Sequence, residues 1–405
     1  MNVCGIVVEY NPMHNGHVYH IENTKKLTGC SHVIAVMSGD FVQRGEPSIV
    51  SKWAKTKMAL QNGVDLVIEL PLINSISSAE GFCSSAIEIL DSLNIVDSIC
   101  FGSEEGKVSP LMDIASILAN EPFELKEFLH IHLDSGLSFP KARQLAIRDY
   151  YTHVLNTPIH EGILNLSNNI LAIEYLKTLI RLNSKITPYT IQRVSNNYND
   201  EGLTGSISSA TSLRNNINNI DSLKNSMPYN NYKILLNEIN LLNAPITLSS
   251  FENIILYKLR ISTAEYISSL VDVSEGLEYK LKRACEDSTT IEEVIDKTIS
   301  KRYSKTRIQR ILLYALFDIT KDVYNSYSKI NYIRVLGFND KGREILKSIK
   351  KTCSYPIISM PNSKDVDLVK YDIISSDIYS LASNNQDFRL SKSDLKTPPI
   401  YLKTT

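Results

Sequence analysis

Over roughly the first hundred positions, apolar residues come in short β-branched runs separated by longer stretches where they recur every three or four residues. Gly5 to Val8 (GIVV), His32 to Met37 (HVIAVM), Val64 to Leu70 (VDLVIEL) and Ser98 to Phe101 (SICF) have the length and composition of strands buried on both faces. Between them, Val18 to Leu27, Val50 to Gln61 and Ala79 to Leu93 are helix-compatible. Four alternations of strand and helix predict an α/β domain with a doubly wound parallel sheet, a Rossmann-like layout. In such a sheet the ligand lies beyond the carboxyl ends of the strands. Here those ends are Glu9 to His17, Ser38 to Arg44, Glu69 to Pro71 and Gly102 to Glu104, and the fold predicts that they converge.

Further along, residues 108–185 read mostly helical, with Ser167-Asn168-Asn169 opening one helix and Pro188 to Val194 as an expected fifth strand. Ser208 to Arg214 reads as a hydroxyl-rich helix start. Past about residue 225 helical periodicity takes over until about Tyr324. Ile330 to Leu336, a basic helix ending at Lys351 and Pro356 to Met360 then predict a small terminal α/β element. The expected division is 1–225 and 226–405, the second part mainly helical.

Composition narrows the class. A chain of 405 residues is too long for one ordinary core, and 43% hydrophobic with 21% charged residues is the balance of a soluble globular protein. No window nears the roughly 18 to 20 apolar residues of a membrane span, and no signal peptide is visible, so the expected location is cytoplasmic. Six scattered cysteines without CxxC spacing read as buried free thiols. Net charge is −1, yet basic residues outnumber acidic ones from Lys280 to Lys351, which allows a local basic face.

The sharpest chemical signal is His14-Asn15-Gly16-His17, placed where the first strand turns into the first helix. Nucleotidyl transfer adds charge to the non-bridging oxygens of an α-phosphate, and fixed donors at that place lower the barrier. A helix N-terminus favours anions, and Gly16 lets a nucleotide approach the backbone. His14, His17 and His20 are also each three apart, but no carboxylate or thiolate stands at ligand spacing, so a metal site is not expected. Ser209, Thr211 and Arg214 suit β- and γ-phosphates, while Asp40, Gln43 and Arg44 lie in a strand-end loop able to face substrate. Lys301 to Arg310 is a basic-aromatic run whose Arg302, Lys305, Arg307 and Arg310 would offer phosphate contacts along a helix.

These motifs resemble those of the bacterial tRNA(Met) cytidine acetate ligase family, which carries an HxGH nucleotidyltransferase-like domain. The resemblance covers nearly the whole chain: Val7 to His20 (VVEYNPMHNGHVYH), Val36 to Pro47 (VMSGDFVQRGEP), Ser51 to Leu70, Phe101 to Glu104 (FGSE), Asn168 to Leu171 (NNIL), Ser209 to Arg214 (SATSLR), Lys301 to Tyr303 and Ile333 to Gly337. Met13 stands where the family usually has Phe, and Ser167 where it commonly has Pro. The resemblance implies activation of acetate by ATP, with Mg²⁺ alongside the nucleotide, as acetyl-adenylate. It then implies transfer of the acetyl group to the exocyclic amine of the wobble cytidine of elongator tRNA(Met). ATP would lie on Val7, Val8, Glu9, Tyr10, Asn11, Pro12, Met13, His14, Asn15, Gly16, His17, Val18, Tyr19 and His20, with Gly102, Asn168 or Asn169, and Arg193 completing the pocket. His14 and His17 would be catalytic, the 1–225 part would carry ATP, and the rest would bind tRNA. An acyl-adenylate is destroyed by water, so an enclosed pocket is expected, with Ser38 to Pro47 as its lid. No membrane or protein partner is implied. Two other readings fit part of the pattern: a small-metabolite adenylyltransferase, which leaves about 180 C-terminal residues without a purpose, and an RNA-binding protein with a regulatory nucleotide site.

Overall fold

A computed structural model describes residues 1–159, 162–193 and 209–403. Its strands are β1 (Val3–Val8), β2 (His32–Ser38), β3 (Phe41–Val42), β4 (Glu46–Pro47), β5 (Leu66–Leu70), β6 (Ser98–Ser103), β7 (Thr187–Gln192), β8 (Ile333–Asn339), β9 (Ile357–Ile358) and β10 (Ile400–Leu402). The central sheet runs β10-β8-β5-β2-β1-β6-β7, with β9 also paired to β8. β5, β2, β1, β6 and β7 are parallel to one another, as the alternation predicts. The fifth strand falls where expected, although Val194 lies outside the described residues.

The central strands bury both faces. Successive residues of β2 point to opposite sides, so Ile34 and Val36 enter one core while Val33, Ala35 and Met37 enter another. The first core takes the helix Ala79–Ser92. The second takes α1 (Asn15–Thr28) and α2 (Lys52–Gln61) through Ile21 and Met58. Each such aliphatic side chain contributes about 1.5–3 kcal/mol when fully buried, which is why a continuous apolar run is stable only here, between two helical layers. A third core joins the helices of the 248–319 segment, among them Glu252–Ile261 and Lys305–Leu316. No helix of the described residues is long and apolar enough to cross a membrane. Five of the cysteines are buried, Cys353 is half-buried, and all are free thiols.

Two sequence expectations change. The terminal strands do pair with each other, but they also extend the main sheet, because β8 lies antiparallel against β5. That contact covers an open edge whose backbone groups would otherwise be unpaired. The loop Ser38 to Pro47, expected as a lid, is a packed element: β3 and β4 form an antiparallel hairpin driven into the third core. Phe41 is fully buried there, edge-on to Phe317 at 4.9 Å and close to Phe251 at 5.7 Å. Its tip, Gly45, has φ +78 and rests on the helix Lys305–Leu316, where a Cβ would sit 2.4 Å from the Arg310 backbone nitrogen. Only glycine meets both demands.

Candidate active site

The turn after β1 is built by burial on one side and capping on the other. Tyr10, Asn11 and Met13 turn inward, 1%, 4% and 0% exposed. The Asn11 side chain faces protein, not ligand: its Oδ1 accepts from the Ile49 N–H at 2.8 Å, and its Nδ2 donates to the Pro47 carbonyl at 3.3 Å. His14 then takes the N-cap position of α1, and its Nδ1 accepts from the Gly16 N–H at 3.0 Å. His17 answers, its Nδ1 accepting from the His14 N–H at 3.2 Å. The two histidines therefore form a reciprocal capping box, a role usually filled by Ser or Thr with Glu or Gln.

This geometry fixes the chemistry of both rings. A nitrogen that accepts a backbone N–H carries no proton, so in each neutral ring the proton resides on Nε2. Burial holds His14 down to about 3, with the Arg193 and Arg214 guanidiniums adding to it. His17 lies well below its ordinary value through burial, then His14 and Arg193, and burial with Arg193 lowers His20 to about 4. The His14 and His17 ring centroids are 3.8 Å apart, too close for two cations. Tyr10 closes the other side of His17, edge-on at 5.0 Å. The result is a pair of neutral imidazoles, each with one N–H left to donate.

The start of α1 differs from the expected layout in one respect. The N–H groups of the first helical turn are satisfied locally: Asn15 donates to the Ser226 carbonyl at 3.0 Å, Gly16 to the His14 ring, and His17 to the His14 carbonyl at 2.9 Å. Side chains, not backbone amides, are thus the main donors facing an anion. Arg214 comes to the turn as predicted, donating to the Asn11 carbonyl at 3.0 Å and to Thr211 Oγ1 at 3.3 Å, with Glu46 at 3.5 Å. Ser209 caps its own short helix through the Ser212 N–H at 3.1 Å; Ser208 lies outside the described residues.

On the far side, Gly102 lies at the end of β6, and a Cβ there would meet Arg193 Cγ at 3.3 Å, so glycine lets the arginine stem cross the sheet. The asparagines separate. Asn169 is 1% exposed and its Oδ1 accepts from the Glu104 and Glu105 N–H groups at 3.0 and 3.1 Å. Asn168 is half-buried and its Oδ1 accepts from Arg193 Nη1 at 2.7 Å. Of the two, Asn168 is the one that meets Arg193.

Several expected site residues do other work. Asp40 is buried, accepting from the Lys52 N–H at 2.8 Å and Ser376 Oγ at 2.9 Å, and burial raises its pKa. The Gln43 N–H donates to Glu9 Oε1 at 2.8 Å, and Arg44 is half-buried at the hairpin tip. The basic run is not one helix, since Ser304 caps a helix that begins at Lys305. Arg302 lies before it, paired with Glu275 and donating to the Gly136 carbonyl. Arg307 donates to the Asp272 carbonyl, and Arg310 is buried against the Asp272 carboxylate at 3.1 Å. Lys305 is exposed on the first turn. Among the described residues no group of three His, Cys, Asp or Glu converges on a point that could hold a metal ion. The N–H and guanidinium donors around the histidines do not ligate Mg²⁺, so an ion accompanying a nucleotide would be held by phosphate oxygens and water.

The HIGH Nucleotidyl Transferase family matches residues 1–394. The tRNA(Met) cytidine acetate ligase of Acetivibrio thermocellus is 45% identical, over 96% of this chain and 97% of the relative. That of Clostridium novyi is 44% identical over the full length of both. The chain belongs to the tRNA(Met) cytidine acetate ligase family. Its fold matches the crystal structure of Thermotoga maritima TmcAL without ligand with a TM-score of 0.95 at 33% identity, and the same protein bound with alpha-thio ATP with 0.94 at 32%, each covering both chains completely. The structure brings His14, His17, Gly102, Arg193 and Arg214, all expected at the site, near one another. Sequence reasoning gave no role to Glu104, whose carboxylate receives the asparagine helix, or to Glu46, which links Arg214 to Gln309. The signal for Glu104 was its place directly after Gly102-Ser103, at a strand end.

Proposed function

We propose that this chain is an ATP-dependent ligase that makes acetyl-adenylate and passes the acetyl group to the exocyclic amine of the wobble cytidine of elongator tRNA(Met). N4-acetylcytidine is the product, formed in the cytoplasm where tRNA is found. The observation that carries the reading is the reciprocal histidine pair flanked by Arg193 and Arg214, in a chain whose relatives are named for this activity. ATP would lie along the turn from Val7 to His20, with Gly102, Asn168 and Arg193 at its side.

In the first half-reaction a carboxylate oxygen of acetate attacks the α-phosphorus, an O–P bond forms and pyrophosphate leaves with the electrons of the bond that breaks. Negative charge grows on the non-bridging oxygens. The two Nε2–H groups stabilise it as neutral donors, and the guanidiniums compensate the charge of the phosphates. Acetate needs orientation in line with the leaving group more than it needs activation. In the second half-reaction the cytidine amine attacks the acetyl carbonyl and AMP departs. The 1–225 part supplies the nucleotide site, and tRNA approaches from the helical part, where Lys305 and Arg302 are exposed.

The test is radiolabelled acetate with ATP and bulk tRNA, followed by nucleoside analysis. Label in acetylcytidine supports the proposal. Pyrophosphate release with unlabelled tRNA would move the reading to a small-molecule adenylyltransferase, and neither product would leave a nucleotide-regulated RNA-binding protein.

A further inference from the structure

The helix Ser167–Arg181 lacks a cap of its own, because its N-cap residue is Leu166, whose side chain cannot accept. Glu104 supplies the acceptors from the neighbouring strand end. Its Oε2 accepts from the Asn169 N–H at 2.8 Å, and its Oε1 from Asn168 Nδ2 at 2.6 Å and from the Asn168 N–H at 3.3 Å. Asn169 Oδ1 returns the favour by accepting from the Glu104 and Glu105 N–H groups. One side chain of this clamp continues outward. The Asn168 amide donates to Glu104 with its nitrogen and accepts from Arg193 with its oxygen, at 2.7 Å. A carboxylate can only accept and a guanidinium can only donate, so this orientation of the amide is forced by its two neighbours.

We infer that Glu104 is a positioning residue for nucleotide binding: it fixes the Asn168 amide so that its oxygen, never its NH₂, meets Arg193 and holds the guanidinium across Gly102 beside the histidine pair. Without the carboxylate the amide can turn over, and two donors then face each other. Arg193 is pushed off the nucleotide although no residue placed against ATP has been replaced. This inference rests on the reading above that ATP occupies the site.

A polarity swap tests it. Asn168→Asp alone sets two carboxylates together, whereas Glu104→Gln alone keeps one oxygen for Asn168 and turns its NH₂ toward the Asn169 N–H. Combined, the introduced amide donates to the introduced carboxylate, which still accepts from Arg193. Asn168→Asp is expected to raise the KM for ATP about tenfold with a smaller change in kcat, and the double variant to return it to within about threefold of the native value. A helix cap that served stability alone would show losses in thermal melting without this rescue. A native KM in Asn168→Asp, or a double variant as weak as Asn168→Asp alone, overturns the role. If Glu104→Gln fails to fold, Asn168→Asp decides alone: a tenfold rise in KM supports the role and a native KM overturns it. Absence of saturable ATP dependence in the native chain would overturn the ATP reading beneath it, which is a distinct result.

Discussion

His14 and His17 each do two jobs with one ring. Nδ1 accepts a backbone N–H and holds the turn, which leaves the ring proton on Nε2 as a donor. The jobs can be separated, since asparagine is also a good N-cap but lacks that donor. His14→Asn is expected to keep stability within about 1 kcal/mol of native and to lower adenylation by about 10²–10³-fold, the usual loss of one fixed donor. Native turnover in that variant would reduce His14 to a cap. His17→Ala is expected to abolish ATP-dependent chemistry and leave tRNA affinity unchanged, as measured by filter binding. The depressed histidines also set a pH dependence. The unfolded chain takes up a proton near 6.5 that the folded His14 refuses until about 3. Stability is therefore complete above 6.5 and falls as pH drops through that window, by up to about 1.4 kcal/mol per pH unit for each such group. Urea unfolding at pH 7 and pH 5 should show a smaller loss in His14→Asn than in the native chain.

Elements were legible wherever their pattern was generated by their nearest layers. The strands β1, β2, β5 and β6 lie between two helical faces, so nearly every residue is apolar and the run announces itself. The β3–β4 hairpin was not legible, because its burial comes from helices contributed by residues beyond 248. A polar, glycine-bearing stretch reads as a surface loop until those helices are in place. Phe41→Ala is accordingly expected to cost about 3–5 kcal/mol, the range for emptying an aromatic site in a core. A cost below about 1 kcal/mol in denaturant unfolding would return the hairpin to the status of a mobile loop. The basic run departs from a single helix for a related reason: the Ser304 cap starts the helix at Lys305, leaving Lys301 to Tyr303 before it, and Arg310 turns inward.

At the scale of the molecule, the C-terminal segment is tied to the sheet by charge as well as by strands. Lys52 on α2 is fully buried and reaches Glu69 at 2.9 Å and Asp394 at 2.6 Å. Burial works against its charge, but Asp394, Glu69 and Asp40 outweigh that and hold its pKa above the ordinary lysine value. Lys52→Met leaves those carboxylates without their cation and is expected to cost about 3–5 kcal/mol, read as a drop in the denaturation midpoint. A midpoint equal to native would show that the pairing adds nothing. Ligand binding acts on the whole fold too: ATP at a hundred times its Kd is expected to stabilise the chain by about 2.7 kcal/mol, visible as a higher melting temperature. For tRNA, Lys305→Glu should weaken binding and flatten its salt dependence. Unchanged affinity would move the RNA surface elsewhere.

The sequence by itself determined the parallel sheet, the placing of the histidine turn at a strand end, and the family to which those motifs belong, because each is written in contiguous residues with local periodicity. Tertiary structure alone decided which side chains meet at the turn and which are held by other partners. It turned Asn11, Asp40 and Arg310 inward, chose Asn168 over Asn169, brought Glu104 under the asparagine helix, and carried β8 to the edge of β5. Each of those outcomes depends on partners distant in the chain, and a hydrogen bond or a buried charge is specified by both ends.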